Sequence, residues 1–136
     1  MAGELKPLRA RQERQVGRAV HEAEESTGLQ ICVYLGPGGE DPRRHAEQLF
    51  VTRGLHERPA VLVLVAPDAR QVEIVTAADA RQRVTDADAQ GVVTLMTQRF
   101  AAGDLIGGLL AGIAKIADAA GPGQGSGEEL PDLLQG

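Results

Sequence analysis

The sequence of 136 residues contains few aromatic residues, no excess of basic charge and only one cysteine. Its aromatic residues are Tyr34, Phe50 and Phe100, too few to form a platform on which the bases of a single strand could stack. The formal net charge is −5, whereas a surface that binds nucleic acid requires an excess of basic residues. Cys32 is the only cysteine and cannot form an internal disulfide, so the fold does not require an oxidising compartment. We therefore expect a domain stabilised by its hydrophobic core, with no nucleic-acid partner.

Long hydrophobic runs are also absent. The first residues, MAGELKPLRARQERQ, contain no apolar region of the kind found in secretory signals. The most apolar segment, residues 105–120, is interrupted by Lys115 and Asp118 and is shorter than the ~20 residues that span a bilayer. The sequence therefore predicts a soluble, cytoplasmic protein with no direct membrane insertion.

Two adjacent apolar segments form the centre of the predicted fold. Residues 60–66, AVLVLVA, are an unbroken apolar run, which is typical of a strand covered on both faces. A turn at residues 67–70 follows, and the alternation in residues 71–76 indicates an antiparallel partner nearer the sheet edge. An earlier strand at residues 29–35 is connected through a helical segment, which makes the first two strands parallel.

Four segments show the apolar spacing and the end signals of helices. The first covers residues 8–27, and the other three begin after the N-cap residues Asp41, Thr85 and Asp104. The order helix, strand, helix, strand, strand, helix, helix predicts a small α/β/α sandwich. Its mixed sheet has strands 1 and 2 parallel, strands 2 and 3 as an antiparallel hairpin, and helices on both faces. The predicted organisation is a flexible lead-in at residues 1–7, a single α/β domain at 8–121 and a flexible acidic tail at 122–136.

Four short signatures lie at the junctions between these elements. They are TGLQICVYL (27–35), AVLVLVAPDARQVEIV (60–75), Thr85-Asp86, and FAAGDLIGGLLAGI (100–113). Together they resemble the TPM domain family over residues 8–120, and most closely an actinobacterial branch of unknown function. The sequence TAADAR (76–81) stands where the family has a glycine-rich turn. The resemblance implies the α/β fold. It implies no single function, because phosphatases, metal binders and accessory proteins occur in the family.

Several charged residues are predicted to meet at one edge of the sheet. The first two strands end at the loop 36–41 and the turn 67–70, and ligands of α/β sheets bind just outside such strand ends. The third helix, about 24 Å long, returns the chain to the same edge at Asp104. The resulting candidate cation or ligand site consists of Glu40, Asp41, Asp68, Arg70 and Asp104.

This set of residues allows two interpretations. Carboxylate and loop carbonyl oxygens suit Ca²⁺ or Mg²⁺, with Asp68 and Asp104 as metal ligands and Arg70 as a clamp for a phosphoryl group. Alternatively, each residue has a structural role, as the N-caps Asp41 and Asp104 and the turn residue Asp68. No catalytic residue is assigned.

Other motifs of catalytic or metal sites are missing from the sequence. His21, His45 and His56 lie on different predicted elements without the spacing of a zinc site, and no nucleophile elbow is present. Our leading hypothesis is a non-catalytic accessory or interaction module that binds a protein partner or a regulatory divalent cation. The alternatives are a metal-assisted phosphatase and a structural oligomer subunit that associates through the glycine-rich fourth helix.

Overall fold

The helices and strands follow the predicted order, with one additional strand. The computed structural model describes residues 7–123 and the backbone of residues 133–135. Within these residues the elements are α1 (Ala10–Thr27), β1 (Gln30–Leu35), α2 (Pro42–Thr52), β2 (Ala60–Ala66), β3 (Gln71–Thr76), α3 (Asp86–Ala101), α4 (Leu105–Ala120) and β4 (Leu133–Gln135). Short 3-10 helices at Leu55–Glu57 and Pro67–Ala69 precede and follow β2.

The strands form one mixed sheet in the order β3-β2-β1-β4. β1 is parallel to β2, from Gln30 opposite Ala60 to Leu35 opposite Val65. β3 is antiparallel to β2 and lies at the edge of the sheet. These pairings confirm the predicted α/β fold class, including the edge position of the third strand.

The fourth strand was not predicted. Leu133–Gln135 pairs in parallel with Val33–Leu35. These three residues lie in the predicted flexible tail 122–136, because three residues are too few to show the periodicity of a strand. Residues 124–132 and 136 of that tail, and residues 1–6 of the predicted lead-in, lie outside the described residues.

Both faces of the sheet are buried, but by different numbers of helices. All seven residues of β2 are buried, as their unbroken apolar run predicts. Val61, Val63 and Val65 belong to the core cluster under α1, α3 and α4. Leu62 and Leu64 belong to the opposite cluster, which α2 covers. Each such side chain stabilises the fold by about 1.5–3 kcal/mol through removal of apolar surface from water.

Side-chain caps begin three of the helices. The Asp41 carboxylate accepts a hydrogen bond from the Arg44 N–H at 3.2 Å, and the Asp104 carboxylate accepts one from the Gly107 N–H at 2.8 Å. The Thr85 hydroxyl accepts from the amide of the third helical residue at 3.1 Å. All three N-cap predictions are confirmed, and each cap is worth about 1 kcal/mol.

Two of the three glycines of α4 pack against α3 of the same chain. A Cβ at Gly108 would collide with the ring of Phe100, and one at Gly112 would collide with Met96. Since α3 covers these two glycines, they give no support to the predicted oligomer interface through α4. No helix within the described ranges has the length and hydrophobicity of a membrane span.

Candidate functional site

A pocket of about 390 Å³ lies at the carboxyl end of β1. We call it the strand-end pocket, and it is lined by residues 38–41, Arg44, His45 and Gln48. Gly38 allows the β1–α2 loop to pack closely, because a Cβ there would lie 2.8 Å from the Cβ of Ala66. The pocket is therefore positioned by a loop that rests on the end of β2.

His45 places an unsatisfied polar atom beside this pocket. Its ring packs edge-on against Tyr34 with centroids 5.2 Å apart, and the Tyr34 hydroxyl donates to the Pro37 carbonyl. His45 Nδ1 is buried and has no hydrogen-bond partner in the part of the chain that the structure describes. The sequence gives no sign of the contact between His45 and Tyr34, because that contact depends on tertiary packing.

The structure brings only two of the five predicted site residues to the strand-end pocket. Glu40 and Asp41 line it, whereas Asp68, Arg70 and Asp104 are not among its lining residues. Asp68 and Arg70 are exposed on the turn after β2, where Arg70 adopts a left-handed backbone with φ of 54°. Asp104 caps α4, which packs on the opposite face of the sheet from α2. Across residues 7–123, no three His, Cys, Asp or Glu side chains are grouped so as to hold a metal ion.

A groove of about 410 Å³ runs along the outer edge of β3. We call it the edge groove. Its floor is residues 72–76, one wall is Arg43 and Glu47 of α2, the other is Asp86, Ala89, Gln90 and Val93 of α3, and Arg81 also lines it.

The backbone of β3 presents alternate residues to this groove. The Ala77 N–H donates to the Ala60 carbonyl, so the odd-numbered residues of β3 face β2. In an antiparallel ladder the residues between them direct both polar groups the other way. The N–H and C=O groups of Val72, Ile74 and Thr76 therefore point into the edge groove.

Two arginines hold carbonyl groups at the floor of the groove. Arg43 Nη1 donates to the Ile74 carbonyl at 2.7 Å, and Arg81 Nη2 donates to the Thr76 carbonyl at 3.2 Å. Arg43 also pairs with Glu47 at 3.3 Å and with Glu73 at 3.7 Å. Charged side chains over an edge strand are a common protection against uncontrolled pairing.

The two walls of the groove differ in chemistry. Arg43 and Glu47 make the α2 wall charged. The α3 wall combines the exposed Asp86 and Gln90 with Ala89 and Val93, two half-buried apolar residues that extend the core to the groove. The site could not be predicted from the sequence because Arg43 lies 31 residues before Ile74, whose carbonyl it holds. The edge position of β3 was the one signal in the sequence that pointed to it.

Comparison with known proteins identifies relatives of this fold. A family model for the TPM domain matches residues 5–119. The BA42 protein from the psychrophilic bacterium Bizionia argentinensis is 23% identical, with a TM-score of 0.83 and 100% of each chain covered. The N-terminal domain of a P. gingivalis protein is 18% identical, with a TM-score of 0.73 over 82% of this chain and 75% of that one. The N-terminal domain of a Corynebacterium glutamicum protein is 20% identical, with a TM-score of 0.67 over 90% and 81%. At these identities the structural matches show the fold alone.

Proposed function

This chain belongs to the TPM domain family, and we propose that it is a non-catalytic interaction module that binds an extended segment of a partner protein in the edge groove. The observation that carries the proposal is an edge strand whose outward backbone groups form the floor of a groove between two helices. Extended peptides bind such edges by adding a strand, and the flanking pockets select their side chains.

A comparison of the two sheet edges supports this choice of site. At the β1 edge, the Ile31 N–H is held by the Glu24 carboxylate at 2.8 Å, and Val33–Leu35 pairs with β4. That edge is therefore closed by other parts of the same chain. At the β3 edge, side chains hold two carbonyls and no strand covers the groove within the described residues. The β3 edge is thus better suited to receive a partner.

If the partner binds in the edge groove, two substitutions on α3 should differ in their effect on binding. Val93→Asp places a charge on the apolar wall, and we expect it to reduce recovery of the partner by about tenfold, since an unpaired charge at an apolar contact costs more than ~1.4 kcal/mol. Gln98→Asp adds the same charge at an exposed position of α3 outside the groove and should leave recovery unchanged. Quantitative pull-downs from the native host, with thermal unfolding of each variant, measure both effects.

A second groove variant controls for damage to the core. Glu47→Arg changes the α2 wall at a side chain that is 57% exposed, so it leaves the packing intact. A partner that binds the groove is lost in Val93→Asp and Glu47→Arg and retained in Gln98→Asp. If the three variants recover the same proteins in equal amounts, the groove is not the binding site.

A regulatory cation in the strand-end pocket is the second candidate. Glu40 and Asp41 supply two carboxylates there, next to carbonyl groups of the β1–α2 loop that could complete a set of oxygen ligands for Ca²⁺ or Mg²⁺. We expect titration with Ca²⁺ or Mg²⁺ to produce saturable backbone amide shifts confined to residues 36–45. Unchanged shifts at millimolar cation would remove this candidate.

The phosphatase alternative receives less support. It would require Asp68, Arg70 and Asp104 to surround the same cation, and those residues do not line the strand-end pocket. We therefore favour a binding function over hydrolysis.

A further inference from the structure

We infer that the partner segment joins the sheet as a fifth strand beside β3 and that it alternates basic with apolar side chains. This inference rests on the proposed binding function and specifies the chemistry of the partner. It is supported by three properties of the edge groove: the spacing of its outward-pointing backbone groups, the chemical difference between its two walls, and its net charge.

The backbone of the groove floor matches an extended peptide. Val72, Ile74 and Thr76 present N–H and C=O groups at intervals of two residues, which is the spacing that an added strand requires. Their N–H groups need acceptors, and two of their carbonyls, those of Ile74 and Thr76, are held by Arg43 and Arg81. An incoming strand supplies the acceptors directly, and its own N–H groups replace the two guanidinium donors.

The walls select alternating side chains. Because side chains of a strand point to opposite faces in turn, every second residue of the added strand faces α3 and the others face α2. The α3 wall presents the apolar Ala89 and Val93 beside the polar Asp86 and Gln90, and the apolar pair favours apolar side chains. The α2 wall presents Arg43 and Glu47, which favour charged side chains.

The charge balance of the groove favours positive side chains. Its lining contains two arginines, Arg43 and Arg81, and three acids, Glu47, Glu73 and Asp86, which together give one net negative charge. Arg43 is already paired with Glu47 and Glu73, so it offers little attraction to an incoming anion. The whole chain is also negative, with a net charge of −5, which would speed the approach of a basic segment.

The arginines also explain how the edge can be open without uncontrolled pairing. While they hold the carbonyls of Ile74 and Thr76, a neutral strand gains little by displacing them. When they are displaced, Arg43 keeps two carboxylate partners, Glu47 on the same wall and Glu73 on the floor. Binding is thus restricted to strands whose side chains add favourable contacts with the two walls.

A synthetic peptide tests the inference directly. The probe is a ten-residue peptide of alternating lysine and valine with blocked termini, titrated into the uniformly ¹⁵N-labelled full chain. We expect saturable binding that slows amide hydrogen exchange at Val72, Ile74 and Thr76 by at least about tenfold. The amides of Glu73 and Val75 are already paired with β2, so they serve as internal controls whose exchange should not change.

Two further titrations separate the contributions of charge and of the arginines. A peptide of alternating glutamate and valine should bind at least several-fold more weakly. The Arg81→Ala variant frees the Thr76 carbonyl from a single hydrogen bond, so the lysine peptide should bind it about two- to tenfold more tightly. Equal or tighter binding of the glutamate peptide would overturn the basic character of the partner.

The outcomes distinguish this inference from the proposed function. If the lysine peptide leaves the three amides unprotected while Val93→Asp still abolishes partner recovery, strand addition is wrong and the groove remains a binding site. If the amides become protected without peptide as protein concentration rises, the occupant is a second copy of the chain. If neither the peptide nor any partner responds to the groove, both the inference and the proposed function fail.

Discussion

Replacing Gly112 with alanine is expected to lower the free energy of unfolding by up to about 2 kcal/mol. A Cβ at this position of α4 would collide with Sδ of Met96 and lie 2.7 Å from its Cγ. Met96 is only 1% exposed, so its side chain is enclosed by other core residues and cannot move out into solvent. Overpacking of this kind costs about 1–3 kcal/mol. The better helix propensity of alanine, worth about 1 kcal/mol, offsets only part of it.

Gly17→Ala provides the matched control. Gly17 lies inside α1, and a Cβ there would meet nothing within 4 Å. We expect this substitution to raise the free energy of unfolding by up to about 1 kcal/mol, since only the propensity changes. Denaturant unfolding followed by circular dichroism measures both values, with an unchanged m-value as the check that the two variants unfold alike. Stabilisation by both substitutions would contradict close packing of α3 on Gly112.

The parts of the fold that sequence analysis predicted are those whose signals are local. The apolar run 60–66 indicated a strand buried on both faces, and each of its residues is buried. Asp41 and Asp104 were recognised as N-caps because a cap needs only a short polar side chain three residues before an N–H group. β4 was missed because its pairing with β1 involves residues 100 positions apart and leaves no periodicity in its three residues.

Only part of the candidate site could be predicted from the sequence. Topology predicted a ligand site at the strand ends, and in the structure Glu40 and Asp41 of the β1–α2 loop line a pocket there. It could not predict that α2 and α4 cover opposite faces of the sheet, which places Asp104 away from Glu40 and Asp41. The face that each helix covers is set by tertiary packing, which is a property of the folded chain.

The edge groove could not be predicted from the sequence, because its two arginines act through tertiary contacts. Arg43 and Arg81 belong to a helix and a polar connection, where arginine is an ordinary surface residue. Their role follows from the carbonyls they reach on β3, which required the register of the hairpin and the position of α2. The acidic residues of the sequence therefore indicated a site at the strand ends and not at the outer edge of β3.

Replacing Arg83 with alanine is expected to cost about 2 kcal/mol of stability, which is typical for the loss of hydrogen bonds from a charged donor. Arg83 lies between β3 and α3. Its Nε donates to the Ala120 carbonyl at 3.0 Å, and its Nη2 donates to the Gly121 carbonyl at 2.6 Å. The last carbonyls of a helix have no partner within the helix, and a positive charge there also suits the helix dipole. One side chain thus fixes the end of α4 to the connection that precedes α3.

Two variants separate this role from a general effect of charge. Arg83→Lys keeps the positive charge but cannot hold two carbonyls in a planar fork, so we expect about half of the loss. Arg81→Ala removes an exposed arginine with a single 3.2 Å bond and should cost less than about 1 kcal/mol. Unfolding measurements, together with faster hydrogen exchange in the last turn of α4 in Arg83→Ala, would identify the cap as the cause. Equal small losses in Arg83→Ala and Arg81→Ala would mean that water replaces the guanidinium at Ala120 and that the connection is fixed by core packing instead.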